Sequence, residues 1–151
     1  MATYTLRTDG GSRGNPGPAG AGFVLEDVAG AIVRSGGRYL GVRTNNEAEY
    51  EALIWGLATA LDHGVSSLRV CADSELVVKQ INGEYRVKKE DLKPLFARAK
   101  ALLGRFDSVL VTHVRREMNV AADEMANAAM DSRGTCGDGI DPDAGRQSAL
   151  F

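Results

Sequence analysis

Six glycines and two prolines fall between Gly10 and Gly22. No helix tolerates such a run, because each glycine costs a helix about 1 kcal/mol and each proline about 3. The chain on either side must therefore be extended or looped, and the first forty residues fit that constraint. Thr3–Asp9 is β-branched and alternates loosely, which predicts a strand. The glycine run reads as a loop that enters a second strand at Ala21–Leu25. A third strand is predicted at Ala31–Leu40, interrupted by Gly36-Gly37, after a turn near Asp27–Gly30.

Helical signals begin only after this point. Thr44-Asn45-Asn46-Glu47 has the form of a capping box and predicts a helix to about Asp62, ended by His63-Gly64. Leu68–Asp73 reads as a strand, after which Ser74 caps a short helix to about Asn82-Gly83. Beyond a basic loop, a helix is predicted from about Glu90 to Leu103, a strand at Ser108–Val114, and a final helix capped by Asn119 and running to about Met130. The order β-β-β-α-β-α-α-β-α joins the first strands by hairpin-length links and separates the later ones by helices. That order predicts an α/β fold: a mixed five-stranded sheet, three antiparallel strands and then parallel ones, with helices on both faces. Residues 1–131 read as one domain. Residues 132–151 read as a C-terminal tail, with four glycines and little apolar content until Leu150-Phe151.

Composition removes several classes of function. The 18 basic side chains face 20 acidic ones, a net charge of −2. Bulk charge therefore cannot hold a nucleic acid, and an anionic partner needs a local patch. No apolar run approaches the 18 or so residues of a membrane span, so no membrane partner is expected. The start of the chain lacks the basic and apolar regions of a secretion signal, and a cytoplasmic location is expected. Two cysteines, Cys71 and Cys136, are too few for a disulfide scaffold or a four-cysteine zinc site.

Four carboxylates occupy positions where solvated charge does not belong. Asp9 closes the first strand and Asp73 the fourth. Glu49 lies one turn into the first helix, in line with Ala52, Leu53 and Gly56, on the stripe that should face the sheet. Asp123 lies one turn into the last helix, in line with Val120, Ala126 and Met130. Singly, each acid reads most simply as a cap or a solvated charge. Strand C-termini and helix N-termini, however, meet on one edge of a parallel sheet, where α/β proteins bind ligands. Two unit charges 4 Å apart repel by about 4 kcal/mol at an effective dielectric of 20. Hard cations with oxygen ligands, Mg²⁺ above all, remove that cost.

Four segments make the chain similar to a known family: Thr8-Asp9-Gly10-Gly11-Ser12-Arg13-Gly14-Asn15-Pro16-Gly17, Thr44-Asn45-Asn46-Glu47-Ala48-Glu49, Ala72-Asp73-Ser74 and Asn119-Val120-Ala121-Ala122-Asp123. In this order and spacing, over roughly 1–131, they resemble type 1 ribonuclease H. The resemblance implies an endonuclease that hydrolyses the RNA strand of an RNA–DNA hybrid with two metal ions, leaving 5′-phosphate and 3′-hydroxyl ends. It implies Asp9, Glu49, Asp73 and Asp123 as catalytic ligands of two Mg²⁺ ions, with Mn²⁺ as a substitute. His113 matches the family's mobile histidine, which assists proton transfer or product release. A ring that merely packs or caps at a strand end is the alternative. Double-stranded RNA, whose A-form shape is close to the hybrid's, is an alternative substrate, and a non-catalytic hybrid-binding module is an alternative function. A monomer is expected.

The same resemblance implies a set of substrate contacts. Gly10, Gly11, Ser12, Asn15, Asn45 and Asn46 belong to the loop and helix start that face the minor groove. Thr44 belongs to a pocket for a DNA-strand phosphate and can also cap its helix. Many relatives have a glutamine after Asp-Ser that contacts the groove, but Glu75 stands here, and pairing with Lys79 at i+4 is expected instead. From Arg86 to Arg105, seven basic side chains face only Glu90 and Asp91. Lys88 and Lys89 in this run, with Arg115 after His113 and Asn119 before the last helix, complete the expected contacts. The Gly83–Glu90 link is too short for the basic helix of elongated relatives, which points to the compact bacterial and archaeal branch.

Overall fold

The computed structural model describes residues 2–140. Strands β1 (Thr3–Ser12), β2 (Gly17–Glu26) and β3 (Ile32–Arg43) form an antiparallel meander. Helix α1 (Asn45–Asp62) crosses to β4 (Ser67–Ala72), which pairs in parallel with β1. Helices α2 (Glu75–Ile81) and α3 (Lys93–Leu103) lead to β5 (Ser108–His113), parallel to β4. Helix α4 (Val120–Ser132) and the short strand β6 (Thr135–Gly137) follow. The sheet order is β5-β4-β1-β2-β3-β6. Helix α1 packs on β1, β2 and α3, and α4 packs on β1, β2 and β3.

The sheet has six strands where five were expected. The sixth comes from residues expected in the tail. Thr135, Cys136 and Gly137 pair antiparallel with Arg38, Gly37 and Gly36 of β3. Gly139 lies against Trp55 and Phe23, and the indole N–H of Trp55 donates to the Ile140 carbonyl. Glycine-rich composition hid this strand, because its fit depends on a neighbour distant in sequence. Leu150-Phe151 lies outside the described residues. Cys71 and Cys136 are both free thiols.

A second difference concerns the glycine run. The expected loop at Gly10–Gly22 is mostly strand, and only residues 13–16 leave the sheet. These glycines serve close packing. A Cβ at Gly10 would overlap the Ala48 carbonyl of α1, and one at Gly22 would overlap the Ala122 carbonyl of α4. A Cβ at Gly37 would overlap the Met125 carbonyl. Helix α4 therefore rests almost directly on the backbone of β2 and β3. The missing side chains bring the starts of α1 and α4 close to the end of β1.

Helix α1 begins as expected. Thr44 Oγ1 accepts from the Glu47 N–H at 3.2 Å, and the Glu47 carboxylate accepts from the Thr44 N–H at 2.9 Å. Eleven of its residues are buried, from Ala48 to Ala60. The core around it combines Leu6, Phe23 and Leu25 of the meander with Tyr50, Leu53, Trp55 and Leu57.

Candidate active site

Asp9 lies within β1 rather than closing it, still paired with Gly22 of β2 but one residue beyond the last pairing with β4, Thr8 opposite Ala72. Asp73 follows Ala72 directly, so the two acids leave neighbouring parallel strands side by side. Glu49, one turn into α1, reaches down to the same point and accepts a hydrogen bond from the Gly10 N–H at 2.9 Å. Carboxylate oxygens of Asp9, Glu49 and Asp73 all lie within 4.8 Å of one another. Asp123, one turn into α4, lies close enough to Asp9 to raise the pKa of its carboxyl. All four line one open cleft of about 590 Å³.

Asp9 and Glu49 are buried, while Asp73 and Asp123 are half-buried. Burial raises the Asp9 pKa far above the carboxylate range, and the Glu49 charge, the Asp123 hydrogen bond and the Asp73 charge push the same way. Glu49 is raised too, first by burial and then by Asp73, with Gly10, Asp9 and Arg116 pulling it partly back. The donor set is all oxygen and anionic, and it is crowded enough to hold protons that a free carboxyl would release. That is the chemistry of a site for hard divalent cations, whose charge offsets the same repulsion. These residues fit Mg²⁺ or Mn²⁺.

The expected substrate loop is tied to α1 by its own side chains. The Ser12 N–H donates to Asn45 Oδ1 at 2.8 Å, and the Asn45 N–H donates to Asn15 Oδ1 at 3.1 Å. Arg13 pairs with Asp131 of α4 at 2.7 Å, fixing the loop from its other side. Gly10, Gly11, Ser12, Asn45 and Asn46 line the cleft. Asn15 is exposed beside it, and Thr44 serves as the helix cap.

Other expected residues fall elsewhere. His113 is exposed at the end of β5, opposite Ala72, beside the cleft but not among its lining residues. Its charge reaches Glu75, which is held below the usual carboxylate range mainly by its hydrogen bond to Lys79. The Lys79–Glu75 ion pair at 2.6 Å is the expected i+4 contact. Lys88 and Lys89 are exposed in the link before α3, away from the carboxylates. Arg115 is exposed and does not line the cleft; Arg116 does. Adjacent arginines give no sequence signal for which one lines the cleft; Arg116, itself exposed, begins the short 3₁₀ turn Arg116–Met118. Asn119 departs most from expectation. It is fully buried, so it cannot be a surface contact for substrate, and its side chain does not cap α4.

Comparisons with known proteins agree with this fold. Residues 7–129 match the family model described as Reverse transcriptase-like. The ribonuclease HI of Halobacterium salinarum is 47% identical over 123 residues, which are 82% of this chain and 62% of that protein. The chain thus spans less than two thirds of that relative, and about a third (35%) of similar Mycobacterium tuberculosis proteins. The crystal structure of RNase H1 from H. salinarum superposes with a TM-score of 0.84 at 45% identity, covering 86% of this chain and 98% of that one. A structure of LC11-RNase H1 in complex with RNA/DNA hybrid gives 0.82 at 41% identity, covering 86% and 98%.

Proposed function

The chain belongs to the type 1 ribonuclease H family, and from that premise we propose that it hydrolyses the RNA strand of RNA–DNA hybrids. The observation that carries the reading is the convergence of Asp9, Glu49 and Asp73 within 4.8 Å, with Asp123 against Asp9. Asp9, Glu49, Asp73 and Asp123 would hold two Mg²⁺ ions, with Mn²⁺ as a substitute. The chemistry such cations would supply is an activated water and an offset to the charge on the scissile phosphate and the leaving 3′-oxygen. The products carry 5′-phosphate and 3′-hydroxyl ends.

The chain's own groups bind and orient. Gly10, Gly11 and Ser12 present cleft backbone to the minor groove, where Gly11 permits close approach, and Asn15, Asn45 and Asn46 offer amides near the 2′-hydroxyls that distinguish RNA. Their mutual hydrogen bonds fix this surface before substrate arrives. Arg116, lining the cleft beside the carboxylates, supplies a cation for a phosphate next to the cut. His113, exposed at the strand end, exchanges a proton with the reacting oxygens. Thr44 contacts a phosphate of the DNA strand while capping α1. Lys88, Lys89 and Arg115 hold more distant phosphates. All four carboxylates come from one chain, so a monomer is the working unit.

A cleavage panel tests the reading. Hybrid, double-stranded RNA, double-stranded DNA and single-stranded RNA are incubated with Mg²⁺, and again with EDTA. Cutting of the RNA strand in the hybrid alone, abolished by EDTA, is expected. Cutting of double-stranded RNA as well would widen the substrate class. Undiminished cutting in EDTA would end the metal-dependent reading.

A further inference from the structure

Asn119 occupies the N-terminus of α4, yet its side chain turns away from the helix. Its Nδ2 donates to the Thr8 carbonyl of β1 at 2.6 Å, while its backbone carbonyl accepts from the Asp123 N–H at 3.1 Å. One residue thus joins the peptide just before Asp9 to the helical turn that bears Asp123. Asn119 is 0% exposed, and its Oδ1 is buried without a hydrogen-bond partner. A buried orphan acceptor destabilises a fold, and an apolar side chain of the same shape would avoid it. The orphan oxygen costs stability, so what accounts for an amide here is the bond that its Nδ2 donates to Thr8.

We infer that Asn119 is a positioning residue: its bond to the Thr8 carbonyl sets the spacing of Asp9 and Asp123, and through it the affinity of the site for divalent cations. The inference rests on the metal-dependent reading above. Asp123 stands outside the close trio on a helix that docks over glycines, so its distance from Asp9 depends on how α4 is held. The Asn119–Thr8 bond is a direct tie between the two. Residues that hold metal ligands in place typically change metal affinity 10- to 100-fold when removed.

The test uses Asn119→Leu, which keeps the branched heavy-atom skeleton, though with bulkier methyl groups, and removes both the donor and the orphan acceptor. Mn²⁺ binding to the full chain is measured by electron paramagnetic resonance, with Asp9→Asn identifying the site. The Mg²⁺ midpoint and hybrid KM of cleavage, and the melting temperature in EDTA, are measured beside it. Cation affinity should fall about tenfold or more and the Mg²⁺ midpoint rise to match, with KM unchanged and the metal-free protein melting close to wild type. Unchanged Mn²⁺ affinity, with activity tracking only the folded fraction, would overturn the inference and leave Asn119 as packing. If the leucine variant does not fold, Asn119→Ser is measured in the same way, and the same two outcomes decide. A wild-type protein that binds Mn²⁺ but cuts no hybrid would overturn the ribonuclease reading, while the binding measurement would still decide the role of Asn119.

Discussion

Helices α1 and α4 each deliver one carboxylate to the cleft, by different means. Helix α1 is buried on nearly every side, and its start is fixed by the Thr44–Glu47 box, two residues three apart in sequence. Helix α4 buries only Ala122, Ala126, Ala129 and Met130, and its start is fixed by a bond across 111 residues to Thr8. Glu49 is consequently a desolvated carboxylate gripped by a backbone N–H, whereas Asp123 sits half-exposed at the rim. One ligand is held by the core and the other by docking.

The largest expected effect separates these two ligands. Glu49→Gln should lower kcat on a hybrid by about 10³-fold or more, the scale of losing several kcal/mol of charge stabilisation in the transition state. Asp123→Asn should cost less and show chiefly as a higher Mg²⁺ requirement. Steady-state kinetics over a Mg²⁺ series measures both. Equal losses in kcat with no change in Mg²⁺ dependence would erase the distinction between core-held and docked ligands.

Next comes the floor beneath α4. Gly37→Ala would drive a Cβ into the Met125 backbone, and helix and sheet would have to part. Overpacking of this kind costs about 3 kcal/mol at the upper end of its usual range, roughly 10 °C in melting temperature for a chain this size. Gly30→Ala is the control, since its added Cβ meets open space and only a positive φ of 88° opposes it. About 1 kcal/mol is expected there. Similar losses at both positions, read by thermal unfolding, would deny that α4 lies directly on the sheet.

These glycines also show what the sequence made legible. The box at Thr44–Glu47, the helix stop at His63-Gly64 and the Glu75–Lys79 pair are contacts between near neighbours, and residue types alone announce them. The four carboxylates were legible because each interrupts a pattern or closes an element. Gly20, Gly22 and Gly37 were not, because a glycine under a helix looks the same in sequence as a glycine in a loop. Strand β6, the place of Arg116 beside the cleft and the Asn119–Thr8 bond depend likewise on partners far along the chain. Asn119 before a helix reads as a cap until the carbonyl that claims its amide is known.

The charge of the cluster gives a third, smaller effect. Asp9 and Glu49 hold their protons more tightly in the folded protein than unfolded. Their contribution to metal-free stability is therefore complete below the ordinary carboxylate range near pH 4 and is lost progressively as pH rises toward and past neutrality. Asp9→Asn removes the titrating group without changing shape, so it should stabilise the protein in EDTA at neutral pH by about 1–3 kcal/mol and flatten this decline. Mg²⁺ should stabilise wild type more than the variant, because binding to the folded state alone shifts the equilibrium. Melting curves from pH 4 to 8, in EDTA and in Mg²⁺, measure all three. If Asp9→Asn melts lower than wild type in EDTA and Mg²⁺ shifts both equally, the carboxylates do not act as one charged cluster.

The smallest effect falls on the local cap, and it returns to the two helices. Thr44→Ala deletes the oxygen that accepts the Glu47 N–H, which should cost about 1 kcal/mol. Helix α1 will nevertheless stay in place, because eleven buried residues anchor it and the Gly10 N–H still grips Glu49. The Mg²⁺ midpoint should therefore match wild type. KM for the hybrid is the parameter free to move, since Thr44 is also the proposed contact to a DNA-strand phosphate, and Thr44→Ser should restore it. This pattern is the reverse of that expected for Asn119→Leu, where the Mg²⁺ midpoint moves and KM does not. A tenfold rise in the Mg²⁺ midpoint of Thr44→Ala would mean that capping, not burial, positions Glu49, and both helices would then depend on their first turns in the same way.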